Sequence, residues 1–266
     1  MDTVIWIFSL CVLLGGLVGF AAGLLGIGGG LMIVPALMYL LPSAGIDSSQ
    51  LPHVAIATSL AAIILTSFSS ARAHQKRQNI SWPIFYRLVP GILLGALLSG
   101  FVSELIPAEQ LKQAFAIFVI LMAVQMAFPL KPSQGEGLPG NGLVFPVTIV
   151  IAVIAGLMGI GGGVLLVPLL SYWGMQMRFA VGLSSMMGLI IATGGTLGYI
   201  VAGWNTPELP SGTLGYIYLP ALAGIVTSSV LVAPLGVAAA SSWPTPVLKK
   251  IFAGLLMVIG IKLILG

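Results

Sequence analysis

Two glycine-rich runs hold the residues best suited to chemistry. Gly26-Ile27-Gly28-Gly29-Gly30 and Gly159-Ile160-Gly161-Gly162-Gly163 each place four glycines in five positions, and each is followed by a proline, Pro35 and Pro168. An interior glycine costs a helix about 1 kcal/mol relative to alanine, so such a run predicts a helix break that leaves backbone N–H groups free. Broken membrane helices aim bare amides and the positive end of the helix dipole at anions. The competing role is close helix packing, because small residues let membrane helices touch. Four glycines in five positions, occurring twice, exceed what packing requires.

Hydroxyl pairs form the second candidate set. Thr58 and Ser59 in the first half, and Ser184 and Ser185 in the second, sit near the start of the helix after each glycine run. They are placed to donate to an anion's oxygens or to bond back to their own helical turn. Thr66, Ser67, Ser69, Ser70, Thr227, Ser228 and Ser229 are assigned to packing. His53 and Arg178 occupy matching places ahead of those helices, where they would draw anions to an entrance; snorkelling to the membrane interface is the other account of Arg178.

The apolar stretches contain no Asp or Glu, so a carboxylate proton relay is not expected, and any proton coupling falls to His53, water or the cargo. Two distant histidines and one cysteine cannot assemble a familiar metal site. The expectation is therefore no metal, no cofactor and no enzyme activity. A dinucleotide-binding loop is weighed because Asp47 lies about twenty residues after the first glycine run. It fails on context: the glycine spacing is incomplete, the flanks are apolar, and the second copy offers Arg178 near the place of the acid.

The elements that position these residues follow from composition. Hydrophobic residues make up 58% of the chain and charged residues 6%, too few to wet a soluble surface. Apolar stretches run at roughly 3–42, 53–71, 84–103, 110–129, 143–175, 179–202, 214–237 and 247–265, several long enough for the roughly 20 residues a crossing needs. Helices are the reading, since lipid forces backbone groups to pair within a segment. Met1-Asp2 offers no basic n-region, so the first stretch is expected to be a retained span rather than a signal peptide. The net charge of +4 comes from basic residues between apolar runs, which argues for orientation in a bilayer and against nucleic acid.

The chain is duplicated. Gly23 to Gly30 returns as Gly156 to Gly163, Ala55 to Ser59 as Ala180 to Ser184, Tyr86 and Pro90 as Tyr216 and Pro220, and Leu111-Lys112 with Phe115 as Leu248-Lys249 with Phe252. Residues 1–130 form a first transmembrane repeat, 131–142 a polar linker expected in the cytoplasm, and 143–266 a second repeat. If every stretch crosses once, Lys and Arg divide about six to four between the two sides; if each glycine-rich stretch returns to its own side, about eight to two. The steeper split selects an all-α polytopic membrane protein of two inverted-topology repeats, with about eight apolar stretches and two glycine-broken helices or re-entrant hairpins.

With these motifs in hand, the sequence resembles the sulfite exporter TauE/SafE family of membrane permeases, through Gly23 to Pro35, Gly156 to Pro168 and Ala55-Ile56-Ala57-Thr58-Ser59. The resemblance covers essentially the whole chain. It implies permeation or export of sulfite or an organosulfonate across a bacterial inner membrane. Leu183 stands where the first copy has Thr58, a departure from a symmetric hydroxyl site. The expected function is alternating-access transport of a small anion; a passive anion channel and a non-transporting membrane scaffold are the alternatives. Substrate-binding candidates are Gly26, Gly28, Gly29, Gly30, Thr58, Ser59, Gly159, Gly161, Gly162, Gly163, Ser184 and Ser185. Partners are the anion and the lipid bilayer, with a homodimer the one protein assembly kept in view.

Overall fold

The computed structural model describes residues 2–25, 29–128, 137–207, 209–240 and 245–265. Gly26, Gly28 and the first half of the predicted linker, 131–136, lie outside the described residues. Within them are ten α-helices: α1 Asp2–Leu25, α2 Gly30–Leu40, α3 Leu51–Lys76, α4 Trp82–Glu104, α5 Ala108–Ala127, α6 Asn141–Leu157, α7 Gly163–Tyr172, α8 Met177–Ala202, α9 Leu219–Ala240 and α10 Thr245–Leu265. A two-stranded hairpin, β1 Thr213–Leu214 and β2 Ile217–Tyr218, precedes α9.

The predicted breaks fall at matched places. The first apolar stretch ends one helix at Leu25 and starts another at Gly30; the fifth ends one at Leu157 and starts another at Gly163. Both second arms open on a left-handed glycine cap, Gly29 at φ 43° and Gly162 at φ 70°. A side chain there would meet the steric penalty that glycine escapes. The arms are unequal, unlike the two 25 Å arms that the stretch length allows. The 24 residues of α1 reach about 36 Å and the 11 of α2 about 16 Å. The 3-10 turn Leu41–Ala44 at the far end of α2 packs on α1, so α2 folds back beside α1 instead of extending it.

Helix directions can be read from paired positions. Leu60 lies against Gly195, Ser67 against Gly188, and Ser70 Oγ donates to Ser185 Oγ at 3.1 Å, so α3 and α8 run antiparallel. Gly91 faces Thr148, Gly95 faces Ala152 and Ser99 faces Gly156, so α4 and α6 run parallel. Cys11 approaches Gly224, Gly15 approaches Ser228 and Gly19 approaches Ser229, which makes α1 and α9 the corresponding parallel pair. Missing side chains at these glycines let backbones touch, the usual device where lipid provides no hydrophobic drive between helices.

The centre is α3, buried almost continuously from Pro52 to Ile63, with α8 against it. The periphery exposes Trp6, Leu13 and Leu17 on α1, Ile117 and Leu121 on α5, and Val258 and Ile261 on α10. Apolar surface on this scale requires lipid. By length and composition four helices of the described residues suffice to cross a membrane, and shorter apolar helices accompany them.

Candidate functional site

The second glycine turn is built in two steps. At the end of α6, Gly159 takes φ 62°, its N–H donates to Gly156 O (3.2 Å) and the Ile160 N–H to Ala155 O (3.0 Å). This left-handed closure satisfies carbonyls that the helix end leaves over. Three residues later Gly162 turns the chain again, and the N–H groups of Leu165 and Leu166 both donate to its carbonyl. Among the described residues, the N–H groups of Gly161, Gly162, Gly163 and Val164 meet no acceptor. These are the orphan donors of a helix start, and the dipole adds partial positive charge there.

The two turns meet. A Cβ on Gly30 would stand 2.5 Å from Gly159 O and 3.1 Å from Ile160 Cα, so only glycine allows α2 to begin against the second turn. Ile63 of α3 reaches both sides: its Cδ1 lies 2.8 Å from the Cβ position of Gly30 and its Cγ2 3.0 Å from that of Gly161.

The four hydroxyl candidates diverge. Ser59 Oγ donates to Gly159 O at 2.9 Å and ties α3 to the second turn. Thr58 Oγ1 accepts from the Tyr218 N–H at 3.0 Å and anchors β2. Ser185 Oγ bonds back to Val181 O at 2.9 Å and accepts from Ser70. Ser184 is 1% exposed and its Oγ has no partner among the described residues. An unpaired buried hydroxyl costs about 1–3 kcal/mol, so its persistence calls for a cause.

Of the entrance candidates, Arg178 is exposed, with its guanidinium carbon 4.6 Å from the Phe179 ring centre. His53 is buried instead, because the β1–β2 hairpin folds over it. Its ring stacks on Tyr216 at 5.4 Å and its Nε2–H donates to Ser103 O at 2.9 Å. Thr206 donates to the Tyr216 hydroxyl, which donates to Glu104. Burial holds the Tyr216 phenol above its ordinary range; the Thr206 bond opposes this and Glu104 reinforces it, so the hydroxyl stays a donor. Replacing Thr58 by valine should strip the buried Tyr218 N–H of its acceptor and destabilise this cover by about 1–3 kcal/mol, read by thermal unfolding in detergent.

Ser67, assigned to packing in the sequence, lies at the second turn, its Oγ 3.4 Å from the Cβ position of Gly161 and 3.6 Å from that of Gly188. A readable signal existed: Ser67 follows Ser59 by eight residues, on the same helical face.

Apolar helices broken at matched glycine turns define a polytopic α-helical membrane protein. The chain matches the family described as "Sulfite exporter TauE/SafE" over residues 11–263, and it belongs to that family. It is 38% identical over 257 residues to a "Probable membrane transporter protein" of Haemophilus influenzae, covering 96% of this chain and 97% of that one. Similar "Probable membrane transporter" proteins occur in Methanocaldococcus jannaschii, 29% identical over 86% of this chain and 82% of that one, and in Bacillus subtilis, where YunE is 27% identical over 74% and 79%. No solved structure matches. The protein is a membrane transporter.

Proposed function

We propose that this transporter carries a small oxyanion, sulfite or an organosulfonate, by alternating access across a bacterial inner membrane, and that it does so between two inverted repeats. The observation that carries the reading is the close approach of the two glycine-rich segments, Gly30 of the first half against Gly159 and Ile160 of the second, with the α7 amides bare nearby. The antiparallel course of α3 and α8, which occupy equivalent places in the duplication, supports the inversion. Anionic cargo suits a turn whose donors are amides and hydroxyls. The family description supplies the sulfur chemistry.

Reconstituted into liposomes, the protein should take up labelled sulfite or ethanesulfonate saturably and accelerate counterflow. Unitary currents without counterflow would indicate a channel, and absence of flux for every oxyanion tried would remove the reading. Arg72 lies near the C-terminal end of α3 and Arg178 near the start of the antiparallel α8, so the inverted reading expects both on one side of the membrane. Single cysteines at 72 and 178, introduced after Cys11 is replaced by alanine, should be labelled from that same side, the cytoplasmic one. Labelling from opposite sides would contradict the inverted arrangement.

A further inference from the structure

Resting on that anion-carrier reading, we propose that the chain seats one oxyanion at a time, on the N-terminus of α7, with Ser184 and Ser67 as side-chain donors and Ile63 as a wall. Two independent observations converge there. The N–H groups of Gly161 to Val164 point out of the start of a ten-residue helix without an acceptor among the described residues. Separately, the hydroxyl of Ser184, nearly fully buried and without a partner among the described residues, lies 3.8 Å from the Cβ position of Gly163, the nearest atom from another helix among the described residues.

Serine in a membrane helix ordinarily bonds back to the preceding turn, as Ser185 does to Val181 O and Thr193 to Leu189 O. Ser184 departs from that habit beside a set of bare amides. Ser67, half-buried on α3, brings a second hydroxyl to the same turn and makes no hydrogen bond among the described residues.

The matching place in the first half is already used. Ser59, the counterpart of Ser184, spends its proton on Gly159 O. Ile63 packs beside Gly30, whereas its counterpart in the duplication is Gly188, which itself brings no side chain to the second turn. Of the two equivalent serines, only the one at the second turn keeps an unspent hydroxyl among the described residues. Consecutive amides with two hydroxyls fit an anion that presents several oxygens, a sulfite or sulfonate head, better than a spherical halide.

Equilibrium titration of the purified protein in nanodiscs with sodium sulfite, sodium ethanesulfonate and sodium chloride tests this. One oxyanion per chain is expected, with chloride at least tenfold weaker. Ser184→Ala and Ser67→Ala should each weaken oxyanion binding about tenfold, while Thr227→Val, an exposed hydroxyl bonded to Ala223 O, should change nothing. Ser184→Ala should not lower the thermal midpoint, since it removes an unpaired group, so loss of binding would not trace to misfolding. Two oxyanions per chain, or undiminished affinity in both serine variants, would overturn the proposal; if such protein still transports anions, the carrier reading stands alone. Absence of both binding and flux would remove both.

Discussion

Replacing Gly188 by alanine should cut anion flux at least tenfold and lower the thermal midpoint, whereas the same change at Gly254 should do neither. A Cβ on residue 188 would overlap the carbonyl oxygen of Gly161, and that oxygen belongs to the backbone of the glycine turn, so no side-chain rotation relieves the clash. Overpacking of this kind costs about 1–3 kcal/mol. The strain would be relieved by pushing the 158–162 turn away from α8, which would separate the α7 amides from Ser184. At Gly254, on an exposed face of α10, a Cβ meets nothing within 4 Å. Scanning fluorimetry and liposome flux on the two variants check the pair; a fully active Gly188→Ala protein would mean that this turn has no part in transport.

Gly159→Ala should be the second large effect, with two separable causes. Its φ of 62° is left-handed, which costs a side-chain-bearing residue about 1–2 kcal/mol. Its Cβ would also stand 2.7 Å from Val34 Cγ2 and 3.3 Å from Ile56 Cα, atoms of the first half. Adding Val34→Ala should recover the part due to Val34 and leave the backbone part and the Ile56 contact, so the double variant should fall between the parent and the single variant, beyond the loss from Val34→Ala alone. Full recovery would show that backbone conformation carries no cost there.

Much of the fold was legible because lipid narrows the options. Runs too apolar for water had to be helices, and four glycines in five positions could not continue one, so the ends at Leu25 and Leu157 followed from backbone energetics. The hydroxyls were less legible. Ser59 and Ser184 are equivalent in sequence, yet one is bonded and the other bare, because only the first half's helix α3 reaches Gly159 O. His53 read as an entrance residue because nothing local announces that the β1–β2 hairpin returns to stack Tyr216 on it. One asymmetry was written in the chain: glycine at 188 where the duplication places Ile63. Its meaning needed the third dimension, since a glycine in a membrane helix is ordinarily a packing residue.

Anomalous scattering from 2-bromoethanesulfonate bound to transport-active crystals would test the central claim most directly. The account predicts one bromine peak per chain, with the sulfonate oxygens within hydrogen-bonding distance of the Gly161 to Val164 amides and Ser184 Oγ. A sulfonate bound elsewhere in the helical bundle, with the glycine turn empty, would contradict it.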